Sequence, residues 1–190
     1  MKKVLIVLIA IMSVSNVYSQ TAETYYNRGN SKINLQDYRG AIADYSKAIE
    51  LNPNYTNAYH NRGNSKSDLQ DYRGAIADYS KAIELNPNDA VIYYNRGNSK
   101  SQLQDHRGAI ADYSKAIELN PNYNNAYHNR GGAKGNLQDY RGAIADLSKA
   151  IELNPNYADA YHNRGCAKLF LEMKDSGCLD LSKAGELGHE

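Results

Sequence analysis

Leu35-Gln36-Asp37-Tyr38-Arg39-Gly40-Ala41-Ile42-Ala43-Asp44-Tyr45-Ser46-Lys47-Ala48-Ile49-Glu50-Leu51-Asn52-Pro53-Asn54 decides the fold, because the same letters keep returning. They recur unchanged as Leu69 to Asn88, as Leu103 to Asn122 with His106 in place of Tyr, and as Leu137 to Asn156 with Leu147 in place of Tyr. Pro53, Pro87, Pro121 and Pro155 follow one another at intervals of 34 residues. A fixed period of that length means stacked units that cannot each fold alone. The repeats fall at 22–55, 56–89, 90–123, 124–157 and a divergent fifth at 158–190.

Each unit reads as a helical hairpin. In the first, Tyr25, Gly29 and Leu35, then Tyr38, Ala41, Ile42, Tyr45, Ala48, Ile49 and Leu51, recur at spacings of three and four, which is the signature of two amphipathic helices. The break falls near Gln36-Asp37, where Asp37 can cap the second helix. Asn52-Pro53 stops that helix, since the proline ring disfavours a helical residue before it and removes a donor. Gly29 and Ala41 are small where the two helices must cross closely.

These residues resemble the tetratricopeptide repeat, and the resemblance covers everything after the N-terminal segment. The matching slots are Tyr25, Tyr59, Tyr93, Tyr127 and Tyr161; Gly29, Gly63, Gly97, Gly131 and Gly165; and Ala41, Ala75, Ala109 and Ala143. Ala48, Ala82, Ala116, Ala150 and Ala184 match as well, together with the four prolines. The resemblance implies an all-α, right-handed superhelical solenoid of antiparallel helix pairs, the first helix of each pair lining a concave groove. It also implies a non-enzymatic scaffold that binds protein.

Two slots depart from that family's usual pattern. Arg28, Arg62, Arg96, Arg130 and Arg164 stand where Leu is common, and Lys32, Lys66, Lys100, Lys134 and Lys168 where an aromatic is common. A half-buried cation needs a partner. Asp44, Asp78, Asp112, Asp146 and Asp180 offer one per unit, so each Arg is expected to pair with one of them while the Arg and Lys stems cover apolar surface. The other reading is a pair of solvated basic rows.

The implied groove carries Asn27, Asn61, Asn95, Asn129 and Asn163 in one row. A neighbouring slot holds Asn30, Asn64 and Asn98, then Gly132 and Cys166; another holds Tyr26, His60, Tyr94, His128 and His162. Asn carries a donor and an acceptor, so a regular row can bind an extended peptide backbone without reading its side chains. The row resembles the asparagine ladder in the repeat superhelix of O-linked N-acetylglucosamine transferases, although their catalytic domain has no counterpart here. A row copied by duplication at a half-exposed slot is the alternative. The repeat domains that grip acidic chaperone tails are matched only at Asn30 and Asn61, because their cation slots hold Tyr26, Val91 and Asn95. Recognition of that kind is not expected.

The rest of the chain narrows the field. Residues 1–19 read as a secretory signal, with Lys2 and Lys3, an apolar run from Val4 to Met12 and a polar tail, cut before Gln20; an uncleaved anchor is the other option. No Cys lies near the cut, which argues against a lipid anchor. Export to the periplasm or the extracellular space is therefore expected, with no stable membrane insertion afterwards. Lys plus Arg number 22 against 21 Asp plus Glu, and 20 against 21 without Lys2 and Lys3, which makes nucleic acid a poor partner. The 17 Tyr, one Phe and no Trp leave the core to Tyr and small aliphatics.

No phosphate loop, G-x-S-x-G elbow, H-E-x-x-H or C-x-x-C occurs, and no cofactor or metal is expected. His60, His128 and His162 recur at repeat spacing, too wide for two ligands of one zinc ion. Asn54-Tyr55-Thr56 fits a glycosylation acceptor in an exposed turn. Cys166 and Cys178 are even in number, which permits a disulfide, but twelve residues of helix-turn-helix need not bring them together. The fifth repeat lacks the Asn-Pro stop, carries Gly177 for Ala and reads as a C-terminal cap. Its Leu179 and Leu181 leave an apolar edge for weak self-association. An architectural subunit of an envelope or secreted complex, assembling through its convex face or C-terminal end, is the alternative function.

Overall fold

A computed structural model describes residues 21–189. The expected segment 1–19 and the cut before Gln20 lie outside the described residues. Two compact units divide the chain after Pro87. The first holds α1, helical over 21–34, then α2 (Tyr38–Leu51), α3 (Thr56–Asp68) and α4 (Tyr72–Leu85). The second holds α5 (Ala90–Gln102), α6 (His106–Leu119), α7 (Asn124–Asn136), α8 (Tyr140–Leu153), α9 (Ala158–Phe170) and α10 (Lys174–Glu186). All regular structure among the described residues is helical, in pairs, as the repeat predicts.

The turn inside each pair is where local sequence matters most. In the third repeat the Gln104 N–H donates to the Ser101 carbonyl at 2.9 Å and the Asp105 N–H to the Lys100 carbonyl at 2.9 Å, a Schellman closure with Gln104 left-handed at φ 61°. Gln36, Gln70, Gln138 and Glu172 have the same sign of φ. A left-handed residue with a Cβ costs about 1–2 kcal/mol, so the closure and the cap that follows must offset it. Asp37, Asp71, Asp105 and Asp139 supply that cap, each accepting from the glycine N–H three residues on at 2.9–3.0 Å. Helix α10 has no such side-chain cap, and its own end turns on Gly188, at φ 89°.

Between repeats the stop is equally local. Asn52, Asn86, Asn120 and Asn154 are extended at φ near −140° before their prolines, as the ring demands. The following helices α3, α7 and α9 start without a side-chain cap, whereas Asp89 caps α5 through the Val91 N–H at 2.9 Å.

The paired helices are antiparallel: Gly29 lies against Tyr45, while Lys32, further along α1, reaches back to the Gly40 carbonyl at 3.3 Å. A Cβ on Gly29, Gly63 or Gly97 would come within 2.5–2.7 Å of the Tyr45, Tyr79 or Tyr113 ring, so the glycine is what lets the tyrosine lie flat in the pair. Those rings are buried, together with Ala41, Ala48, Ala75, Ala82, Ala109 and Ala116. The core is one of small residues and tyrosines, as composition predicts. In the second unit α6 and α8 each touch the first helix of their own repeat and of the next, α10 packs on α9, and α5, α7 and α9 touch in turn.

Candidate functional site

The structure pairs the basic and acidic rows. Arg62 donates Nε and Nη2 to the two oxygens of Asp78 at 2.9 and 2.6 Å, and the same fork holds Arg96–Asp112, Arg130–Asp146 and Arg164–Asp180. Arg28 closes on Asp44 in the same way. The partner is always on the second helix of the Arg's own repeat. Each lysine also joins its repeat's carboxylate, as Lys66 does Asp78 and Lys134 does Asp146, both at 2.7 Å. The expectation that each Arg pairs with an Asp holds, and the lysine head group adds a partner that the expectation did not include: a carboxylate has lone pairs left for a second cation after the arginine fork has met both oxygens.

The arginines bind outward as well. Nη1 of Arg62, Arg130 and Arg164 reaches the hydroxyl of Ser46, Ser114 and Ser148 on the preceding repeat at 2.9–3.0 Å, so the ion cluster stitches neighbours together. The Arg28 fork and Lys32 hold the Asp44 carboxyl below its usual range despite burial. At Asp180, burial pushes upward, but bonds from Arg164 and Lys168 outweigh it and the value is lowered. These two carboxylates therefore stabilise the fold above the ordinary Asp range and lose that contribution as pH falls through their lowered values.

The first-helix rows form a second network. In the first unit Asn61 spends both Nδ2 hydrogens inside the stack, on Tyr26 Oη at 3.1 Å and Asn30 Oδ1 at 3.0 Å. Asn30 Oδ1 also accepts from the buried Tyr45 hydroxyl at 2.7 Å. The second unit repeats this: Asn129 Nδ2 donates to Tyr94 Oη at 3.1 Å and Asn98 Oδ1 at 2.8 Å, and the Tyr113 hydroxyl donates to Asn98 at 2.8 Å. Tyr79 makes the same bond to Asn64 at 2.8 Å. Burial pushes the Tyr45 hydroxyl up to about 12 and raises Tyr79 and Tyr113 too, which keeps all three neutral donors at ordinary pH.

A single Asn therefore does not offer both a donor and an acceptor to a guest. The pair does: Asn30 keeps its Nδ2 and Asn61 its Oδ1, while Asn98 keeps its Nδ2. Asn129 Oδ1 has only the ring of His128, at 3.2 Å. Asn27 is exposed at the start of the row; Asn95 and Asn163 are half-buried.

The histidine slot behaves like the tyrosine slot it alternates with. Asn163 Nδ2 meets His128 Nε2 at 2.9 Å, as Asn129 meets Tyr94, and Tyr157 Oη lies 3.0 Å from His128 Nδ1. Burial lowers the His128 pKa. His60 lies 6.0 Å from the Tyr79 ring, with Asn64 3.5 Å from its Nε2. His162 stacks on His189 at 4.0 Å, with Cys166 Sγ 3.6 Å from its Nε2. Among the described residues no group of three or more His, Cys, Asp or Glu is arranged for a metal ion. Cys166 and Cys178 are both free thiols.

Each unit has an open cavity on this network. The first is about 260 Å³ and is walled by Asn30, Tyr45, Asn61, Asn64 and Asp68. The second is about 580 Å³ and is walled by Leu147, Ala143, Tyr140, Phe170 and Asn163. Sequence reasoning missed Asp68, Tyr140, Leu147 and Phe170 as cavity walls. The available signal at Asp68, Leu147 and Phe170 was their departure from the equivalent residues of neighbouring repeats, whereas Tyr140 carries the usual residue of its slot and gave none.

Profiles of the tetratricopeptide repeat match residues 22–55 and 90–123, and a second profile, described as TPR repeat, matches 63–104 and 136–169. No curated protein matches the sequence. Among solved structures, the MamA protein is similar at 27% identity and TM-score 0.85 over 88% of this chain and 92% of that one. YrrB, titled a TPR protein with an unusual peptide-binding site, is similar at 26% identity and TM-score 0.78, over 86% of this chain and 84% of its own. MamA from Desulfovibrio magneticus RS-1, at 18% identity and TM-score 0.84 over 88% and 94%, shares the fold. Among the described residues no helix is long and apolar enough to cross a membrane.

Proposed function

This chain belongs to the tetratricopeptide-repeat family, and on that premise we propose that it is a non-enzymatic scaffold binding an extended polypeptide segment along its first helices. The observation that carries the reading is the internally braced carboxamide pair. Asn30 and Asn61 are each locked at one end by bonds to the stack and keep, respectively, a donor and an acceptor at the other, while Asn98 keeps its donor and Asn129 Oδ1 also meets the His128 ring. Groups fixed before the guest arrives lose little freedom on binding. YrrB, a relative of similar length with a peptide-binding site by its title, supports the class of partner.

In the first unit the bound backbone runs past Asn27 and Asn61, with Tyr26 and His60 beside it, and in the second past Asn95, Asn129 and Asn163, with Tyr94, His128 and His162 beside it. We place the protein in the periplasm or outside the cell, on the strength of the signal-like residues 1–19. Pull-down from an envelope or secreted extract, comparing wild type with Asn61→Ala/Asn129→Ala, tests the groove. Loss of the recovered polypeptide is the expected result, and equal recovery rejects the groove while leaving the scaffold. Amino-terminal sequencing of the protein from cells checks the cut before Gln20.

A second reading, assembly through the C-terminal end into a larger complex or with a second copy, is favoured by the exposure of Leu179 and Met173 on and beside α10. Sedimentation at high concentration separates it: a clean monomer, with the groove variant losing its partner, leaves the first reading alone.

A further inference from the structure

The two cavities are the same site in two repeat registers, three periods apart. Asn30 corresponds to Gly132, Tyr45 to Leu147, Asn61 to Asn163 and Asp68 to Phe170. Yet the cavity in the second unit has about 580 Å³ against about 260 Å³ in the first. The difference has a visible cause. In the first three repeats the site is plugged by a bonded pair: a tyrosine hydroxyl from the second helix donating to an asparagine of the first, 2.7–2.8 Å apart in Tyr45–Asn30, Tyr79–Asn64 and Tyr113–Asn98. The fourth repeat lacks both halves of the plug, with Leu147 for the tyrosine and Gly132 for the asparagine.

Losing one half alone would leave a buried hydroxyl or carboxamide unpaired, which is costly. Losing both removes the bonded pair together and leaves a hollow of mixed lining, in which Asn136, Gln138, Asn163 and Cys166 stand beside the apolar residues. A Cβ at Gly132 or Gly135 would meet nothing within 4 Å, so the space is open from the first-helix side. Phe170 takes the place of an acid and stacks flat on Tyr140, centroids 4.6 Å apart and planes 5° from parallel. The two rings wall one side of the hollow, and Leu147, Ala143 and Ala167 complete its apolar lining. Asn163 also lines it, with Nδ2 committed to His128.

We propose that the cavity between α7, α8 and α9 is a specificity pocket that receives one aromatic side chain of the guest polypeptide. The protein's own plug specifies the occupant: what the first three repeats put there is a phenol ring edge and a carboxamide, so a ring and its peptide amide refill the volume. The Tyr140–Phe170 stack gives the ring a flat wall, and Asn163 Oδ1 lies where the guest's N–H can reach it. Asparagine pairs that hold backbone alone accept any sequence, whereas this pocket selects one. The inference rests on the polypeptide-binding reading above and adds the side chain that the groove reads.

The chain has no Trp, so the fluorescence of a Trp peptide reports binding without background. The probes are acetyl-Ser-Ser-Trp-Ser-Ser-amide and the same peptide with Ala at its centre, followed by emission of the first and by amide shifts of Gly132 and Gly135 with both. Wild type should bind the Trp peptide about tenfold or more tighter than the Ala peptide, the size expected for burying one ring. Gly132→Asn/Leu147→Tyr rebuilds the plug from residues the third repeat already uses, so it should unfold no earlier than wild type. It should also abolish the preference. Equal binding of the two peptides by wild type, an undiminished preference in the plugged variant, or no saturable shift at Gly132 and Gly135 up to millimolar peptide overturns the proposal. Asn61→Ala/Asn129→Ala should weaken both peptides alike; a preserved preference with no such weakening keeps the pocket and removes the carboxamide groove.

Discussion

Asp146→Ala tests whether the ion clusters hold the repeats together or merely sit on them. The carboxylate is 5% exposed and takes Arg130 Nε at 2.8 Å, Arg130 Nη2 at 2.6 Å and Lys134 Nζ at 2.7 Å. Truncating it strands two cations whose side chains are 17% and 22% exposed. Removing one partner of a buried pair costs about 3–5 kcal/mol. Because roughly a fifth of each cation still touches water and can hydrate in place, the loss should fall near the lower end, about 3 kcal/mol.

The assay is urea denaturation followed by helical circular dichroism, fitted as a nearest-neighbour repeat array because one global equilibrium is not assured for stacked units. In a thermal scan the same loss should lower the midpoint by about 6–12 °C. Replacing the whole cluster by Arg130→Leu/Lys134→Leu/Asp146→Leu should recover most of that loss, since buried charges exchanged for packed aliphatics are often neutral or better. Lys149→Ala is the control: its pair with Glu152, at 2.6 Å, joins groups 37% and 68% exposed and should cost under about 0.5 kcal/mol. A loss below about 1 kcal/mol for Asp146→Ala would mean that the rows are solvated after all and that the reasoning is wrong.

Gly97→Ala drives a Cβ to 2.7 Å from the Tyr113 ring and should cost about 1–3 kcal/mol; Gly132→Ala, which meets nothing, should gain about 0.5–1 kcal/mol from helix propensity. Both are read from urea midpoints. Gln104→Gly relieves a left-handed residue at φ 61° and should be neutral to about 1 kcal/mol stabilising, while Gln104→Val should destabilise, measured in the same way. His128 has a native pKa below its ordinary value of 6.5, so between the two the unfolded chain holds more protons and stability rises with pH. Its contribution is complete above the unfolded value and is lost as pH falls toward the native one. His128→Tyr, which copies Tyr94 and its bond from the next repeat's Asn, should flatten the change in urea midpoint between pH 7.5 and 5.5; an unchanged slope in the variant would assign the dependence elsewhere.

What could be read in advance follows from the range of the interactions. Caps, stops and helix pairing are set within a few residues, so Asp37, Pro53 and Gly29 announced them. The partner of each arginine was legible because a cation on a packing stripe demands an anion and one Asp per repeat was available. That lysine shares the same carboxylate was not, since nothing in the spacing tells how many donors one buried Asp receives. The left-handed Gln36, Gln70, Gln104 and Gln138 gave no signal, because glutamine has no preference for that region and only the closure of the turn imposes it. The bracing of Asn61 by Tyr26 and Asn30 was equally hidden, as it joins residues 35 and 31 apart whose meeting depends on the offset between stacked helices.

Identity among the repeats is itself uneven, and the stack explains where. In the second unit a second helix such as α6 or α8 is gripped from both sides, by its own first helix and by the next, so nearly every position answers to a neighbour. Its letters hardly vary: His106 and Leu147 are the departures from Leu35 to Asn54 and its copies. First helices keep the Tyr, Arg, Gly and Lys of the pair and the Asn row from Asn27 to Asn163, and change at other positions, as in Asn98 to Gly132 to Cys166 and Asp68 to Gln102 to Asn136 to Phe170. Variation is therefore confined mostly to first-helix positions outside the contacts that every repeat shares. Leu147 breaks that rule from inside the packed helix, and the residue it would bond, at position 132, is gone as well; the divergent fifth repeat makes the same paired loss, with Leu181 and Cys166 in those slots. Losing either half alone would strand a buried polar group, so the two changes go together, and the space they clear on the first-helix side is what the proposed pocket uses.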